Sequence, residues 1–205
     1  MSTTTDLLNV RDAALQRRSI RAFEPLPIPR EDLDGILDVV RLAPSAFNVQ
    51  PWRFVIVETP ELKAQLAAAA FNQRQVHSAP AVIVLYSDMQ DALATIDETI
   101  HPGMDAVQRA TTRQTILRSF QGQSPDQREA WGAAQAHIAL GYLLLAAEAH
   151  GYQTSPMAGF DAEAVKRLLN LPENARVPAL VAIGRGTEEG FPHHRHALER
   201  IARAA

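Results

Sequence analysis

Leu33-Asp34-Gly35-Ile36-Leu37-Asp38-Val39-Val40-Arg41-Leu42-Ala43-Pro44-Ser45-Ala46-Phe47-Asn48-Val49-Gln50-Pro51-Trp52-Arg53-Phe54-Val55-Ile56-Val57 changes its apolar period once along its length. Leu33, Ile36, Leu37 and Val40 recur at i, i+3, i+4 and i+7, which predicts an amphipathic helix opened by Pro29 and stopped at Pro44. Phe54 to Val57 is a short, β-branched apolar run, the pattern of a buried strand. Between them Pro44 and Pro51 stiffen a loop that carries one hydroxyl, Ser45, and two carboxamides, Asn48 and Gln50. Such groups donate and accept at once and suit a flat heterocycle with carbonyls and ring nitrogens; they equally suit a loop that satisfies its own backbone.

Upstream, residues 6–17 read as a helix with Asp6 as cap, followed by Arg17-Arg18-Ser19-Ile20-Arg21. Three guanidinium groups beside a serine make a local anion site in a chain of net charge −3. The alternative is a solvated basic helix end, favoured there by the helix dipole. Pro25, Pro27 and Pro29 force an extended connector.

Downstream, Thr59 and Pro60 open a helix to about Ala70, and Ala81 to Tyr86 is a second buried strand. Residues 88–122 are polar and helical in tendency, interrupted at Pro102-Gly103, and read as a mobile excursion. Gln127 to His150 is the longest helix, closed by Gly151 and crowded with glycine and alanine; small residues on several faces suit a core or a subunit seam. A helix over 161–169, a third strand over 179–183 ending at Gly184, and a tail with Arg195 and a short helix over 198–204 complete the chain. Residues 1–205 contain no repeat or linker and read as one α+β domain.

Composition excludes several classes. Hydrophobic residues at 46% and charged residues at 21% describe a soluble globular protein, and the acidic balance lacks the broad basic face that nucleic acid requires. Zero cysteines remove disulfides, thiolate metal sites and a cysteine nucleophile. The first residues, MSTTTDLLNV, show no signal-peptide pattern, and residues 133–149 fall short of a membrane span, so a cytoplasmic protein is expected. His193, His194 and His196 lack carboxylate or thiolate company at ligand spacing, and Gly-x-Ser-x-Gly is absent.

Taken in order, Arg-Arg-Ser-Ile-Arg at 17–21, Ala-Pro-Ser-x-x-Asn-x-Gln-Pro-Trp at 43–52, Asn72, Ser-Pro-Met-Ala-Gly-Phe at 155–160 and a late arginine resemble the FMN-dependent nitroreductase family. The resemblance implies a three-layer α+β sandwich with a mostly antiparallel central sheet flanked by helices. It also implies a homodimer whose two FMN sites lie between subunits. On that likeness Arg17, Arg18, Ser19 and Arg21 hold the FMN phosphate and ribityl chain, Arg18 partly through its backbone, with Arg195 on the phosphate side. Ser45, Asn48 and Gln50, supported by Pro44 and Ala46, reach the flavin from the opposite subunit. Asn72 faces the polar edge of the ring, and Pro156, Met157, Ala158 and Gly159 lie near its reactive side.

The implied activity is hydride uptake from NADH or NADPH and ping-pong reduction of nitroaromatic, quinone or similar acceptors, with no catalytic side chain required. Specialised dehydrogenases or dehalogenases of the same fold, and a regulatory flavin-binding module, share these motifs. One departure is visible: Ala158 stands where many members carry glutamate. Within 88–122, Phe120, Met104, His101 and Arg113 are the candidates to shape a substrate cavity.

Overall fold

The alternation of apolar side chains along four strands divides the core into two sheets of contact. The computed structural model describes residues 7–204. β1 (Trp52–Val57), β2 (Ala81–Ser87), β3 (Gln153–Met157) and β4 (Arg176–Gly184) form one sheet in the order β1-β2-β4-β3, antiparallel throughout. Trp52, Phe54, Ile56, Ile83, Leu85 and Val181 point to one face. There α2 (Arg30–Val40) and the long α8 (Pro125–Ala149) cover them with Leu33, Ile36, Ala139 and Leu143. Val55, Val57, Val82, Val84 and Leu180 point to the other, against α3 (Pro60–Ala69), α4 (Arg74–Ser78) and α9 (Ala162–Leu169). The result is the three-layer α+β sandwich with its antiparallel sheet.

Several boundaries depart from the sequence reading for identifiable reasons. The sheet has four strands, not three. β3 escapes a propensity reading because Pro156 lies inside it; an edge strand tolerates a residue that cannot donate to the ladder. The segment after α1 (Val10–Gln16) lies beyond β3, with Ser19 bridged in parallel to Thr154 and the Ile20 N–H donating to the Thr154 carbonyl at 3.0 Å. Asp6 lies outside the described residues; Asn9 caps α1, its side chain accepting from the Asp12 N–H at 3.0 Å. Pro29 is the cap of α2 rather than its first helical residue, and Thr59 precedes α3 without a side-chain cap bond.

α8 starts at Pro125, earlier than expected, because Ser124 and Gln127 form a capping box there. At 25 residues it is long and apolar enough to cross a membrane by length and composition alone, contrary to the shorter sequence estimate. Its position is against α1, α2 and all four strands, which accounts for the apolar content. The excursion is more built than its polarity suggests. α5 (Met89–Ala94), α6 (Ile96–Thr99) and α7 (Ala106–Ser119) enclose a small core of Met89, Ile96, Ile116 and Phe120, with Phe120 edge-on to Trp131 at 4.9 Å. The tail helix α10 is a single turn, Leu198–Ile201.

Candidate functional site

Three arginines meet where the first helix ends. Arg17, Arg18, Ser19 and Arg21 form one wall of a cavity of about 160 Å³, and Phe191, Pro192, His193 and Arg195 from the tail form the other. The tail reaches this position by a turn that only glycine fits. Gly190 has φ +69°, and a Cβ there would come within 2.9 Å of Ile20 Cδ1 and 3.0 Å of Arg18 Cβ. His193 Nε2 lies 3.1 Å from the Ala14 carbonyl, which docks the tail on α1.

The arginines divide their work. Arg18 is the helix-end residue: its Nη1 donates to the carbonyls of Leu15, Gln16 and Arg17 at 2.7, 3.0 and 2.9 Å. Arg17 is half-buried, and burial together with nearby Arg195 pushes its pKa below the ordinary guanidinium value, opposed by Glu148. It remains a cation, and no carboxylate lines the cavity. A polar hollow with converging guanidinium groups favours a multiply charged anion.

The same edge of the sheet carries two further predicted residues. Phe71 and Asn72 both adopt left-handed backbone at the end of α3, with φ 56° and 54°. The Gln73 amide donates to the Gly159 carbonyl at 2.7 Å, and the Asp161 N–H donates to the Ala69 carbonyl at 2.8 Å. The loop carrying Asn72 and the loop carrying Gly159 are thereby tied together. The Asn72 carboxamide makes no hydrogen bond among the described residues, and a Cβ at Gly159 would meet nothing within 4 Å. Packing within this chain does not ask for glycine there. Pro156 and Met157 belong to β3, with Met157 buried, while Ala158 is exposed beside Gly159. Glu188 joins the turn to the arginine segment, accepting the Arg21 N–H at 2.8 Å and lying 3.7 Å from Arg74 Nη2. Sequence reading passed over Arg74, Glu188 and Gly190; position two after Asn72 was the only signal for Arg74.

Ser45, Asn48 and Gln50 form a separate unit. The Gln50 N–H donates to Ser45 Oγ at 2.9 Å, and Gln50 Nε2 donates to Asn48 Oδ1 at 3.0 Å. Asn48 Nδ2 donates to the Thr99 carbonyl at 2.8 Å, and the Ala46 N–H donates to Gln135 Oε1 at 2.9 Å. Phe47, Asn48 and Gln50 all have positive φ, 56°, 56° and 47°. Pro44 stands exposed at the start of this loop.

Strand register separates this loop from the arginines. Trp52, which follows the loop, pairs with Ser87 at one end of β2; Thr154, beside Ser19, is level through Ile183 with Ala81 at the other. The two units occupy diagonal corners of the sheet, roughly 20 Å apart along the strands and roughly 20 Å across them.

The candidates in the excursion serve local structure. Arg113 pairs with Asp97 at 3.1 Å, His101 Nδ1 lies 3.0 Å from the Gly103 N–H, and Thr112 Oγ1 lies 3.7 Å from Met104 Sδ. A hollow of about 1040 Å³ runs along α7 past Arg113 and Phe120 and includes none of the other predicted residues.

The sequence model of the nitroreductase family matches residues 14–185. The chain belongs to the nitroreductase family. An NADH dehydrogenase of Thermus thermophilus is 48% identical over 201 residues, covering 98% of both chains. YdgI of Bacillus subtilis, provisionally named an NAD(P)H nitroreductase, is 32% identical over 98% of this chain and 99% of its own. A structure from Exiguobacterium sibiricum solved in complex with FMN superposes with a TM-score of 0.89 at 28% identity, covering 99% of this chain and 100% of that one. Membership makes the chain an oxidoreductase. The Arg195 wall lies beyond the matched residues, so its place in the cavity is seen only in the structure.

The donor set fits a flavin mononucleotide. The guanidinium hollow suits a terminal phosphate, the uncommitted Asn72 amide suits a ring edge bearing carbonyls and ring nitrogens, and the open space over Gly159 leaves room for a flat ring.

Proposed function

We propose that this protein is an FMN-dependent oxidoreductase that takes hydride from NADH or NADPH and passes electrons to nitroaromatic, quinone or similar small acceptors in ping-pong turnover. FMN, when bound, supplies the acceptance of hydride and its delivery onward. Arg17, Arg21 and Arg195 hold the phosphate, Ser19 and the Arg18 backbone steady the sugar chain, and Asn72 orients the ring. Gly159, with Pro156, Met157 and Ala158, borders the open side on which donor and acceptor take turns. Residues 1–205 act as one flavin-binding domain in the cytoplasm.

The observation that carries this reading is the diagonal separation of two complementary halves, one charged and one neutral. A single flavin cannot touch both in one chain. Two copies related by a two-fold axis bring the arginine corner of each against the carboxamide loop of the other, giving a homodimer with two sites. The solvent side of α8 fits the seam: Ile138 and Tyr142 are exposed, and a Cβ at Gly141 would meet no neighbouring side chain or segment within 4 Å.

The test is spectroscopic. Purified protein reconstituted with FMN should bleach on anaerobic addition of NADH or NADPH and regain its absorbance when a quinone is added. A preparation that binds FMN and never bleaches is a flavin-binding module, and one that stays colourless refutes the cofactor.

A further inference from the structure

Glu148 sits in the last turn of α8 with 5% of its surface exposed, and its Oε2 has no hydrogen-bond partner among the described residues. A carboxylate so placed is costly without a counter-charge. Two cations at the end of α1, Arg17 and Arg18, lower its pKa through their charge, and α1 packs on α8. Arg18 is already committed to three carbonyls at the end of α1. That leaves Arg17, whose other side meets Arg195 across the anion cavity. From β3, Gln153 completes the surroundings. Its Oε1 accepts the Gly186 N–H at 2.9 Å, which turns its amide hydrogens toward Glu148.

We infer that Glu148 is the inward counter-charge of the arginine cavity, a positioning residue that holds the Arg17 guanidinium in place for the phosphate of the cofactor. The inference rests on the FMN reading of the same cavity. Glu148 lies behind the hollow and opposes the charge of the cavity-lining Arg17 through its field, with no ion pair at contact distance between them among the described residues, while Arg21 and Arg195 also attract the anion from solvent. Without the carboxylate, Arg17 faces Arg18 and Arg195 with nothing to oppose their repulsion and turns outward.

FMN and riboflavin share ring and ribityl chain and differ only in the phosphate, so their dissociation constants separate this role from general support of the fold. Glu148→Gln keeps the shape and removes the charge. FMN affinity should fall about tenfold while riboflavin stays within about twofold, and Glu148→Gln should add nothing in an Arg17→Ala background. Equal losses for both flavins, no loss for either, or full additivity with Arg17→Ala would overturn the assignment.

Should Glu148→Gln fail to fold, Arg17→Gln probes the coupling from the other side. Burial raises the Glu148 pKa, opposed by Gln153, Arg17 and Arg18, and removing Arg17 raises it further. A carboxyl raised in the folded state stabilises below its unfolded pKa and loses that contribution as pH rises through the folded value. Flavin-free Arg17→Gln should therefore lose stability relative to the parent as pH increases above the ordinary carboxylate range; parallel profiles would refute the coupling. A parent protein that binds neither flavin refutes the FMN reading itself, and this role with it.

Discussion

The arginine corner and the carboxamide corner reach their geometry by opposite means. At the first, charge is held by packing from a distance in sequence: α1 ends, α8 backs it, and a tail turned by Gly190 closes over it. At the second, neutral amides are held by local strain, with three left-handed residues in a span of four, bonds between Ser45, Asn48 and Gln50, and two anchors to Thr99 and Gln135. A charged site needs its counter-charges fixed in space, whereas a neutral amide site needs only its dipoles aimed. The first is therefore spread over three segments, while the functional amides of the second come from one loop.

The largest effect expected from this contrast is at the arginines. Arg17→Ala combined with Arg21→Ala should weaken FMN by about 100-fold or more, since each removes a charge-assisted contact, while circular dichroism and the thermal midpoint stay close to the parent. Asn48→Ala with Gln50→Ala should cost about tenfold, and that loss should extend to riboflavin. Raised salt separates the corners further: it should erode FMN affinity in the parent and leave riboflavin nearly unchanged. Equal salt dependence for the two flavins would mean that the arginine corner does not hold the phosphate.

Mixing the two variants tests whether the corners meet across subunits. In a dimer with one Arg17→Ala/Arg21→Ala chain and one Asn48→Ala/Gln50→Ala chain, both lesions fall in one site and the other is intact. Co-refolded mixtures should regain tight FMN binding at one site per mixed dimer. No recovery in a verified mixed dimer would place both corners in the same chain's site and break the comparison.

The same contrast explains what could be read in advance. Most helices and strands of the layers were legible because they carry their own apolar period, as Leu33, Ile36, Leu37 and Val40 do, whereas the five-residue α4 is too short to show one and was not. β3 was not, since Pro156 and a mixture of polar residues hide a strand whose register is imposed by β4. The carboxamide loop was legible as a unit because its bonds are local. The arginine cavity was half legible: the run from Arg17 to Arg21 stands out, but its division into a helix-capping Arg18 and a cavity-facing Arg17 depends on where α8 and the tail lie. Glu148 gave no signal at all, being one polar residue in the last turn of an apolar helix.

Phe47 supplies the smallest expected effect. It holds φ 56° with 52% of its surface exposed, so the chain carries a strained aromatic that buries little against its own atoms. Left-handed backbone at a non-glycine residue costs about 1–2 kcal/mol, and glycine relieves that at an unfolded-state cost of about 0.5–1 kcal/mol. Phe47→Gly should therefore leave the stability of the fold within about 1 kcal/mol of the parent, with no fall in the thermal midpoint. If the ring packs on the second chain or on its flavin, FMN affinity should drop a few-fold even though the Ser45 to Gln50 bond survives. A fall in midpoint of the size seen for a core aromatic would show that Phe47 packs within its own chain, and the loop would then owe its shape to packing, as the arginine corner does.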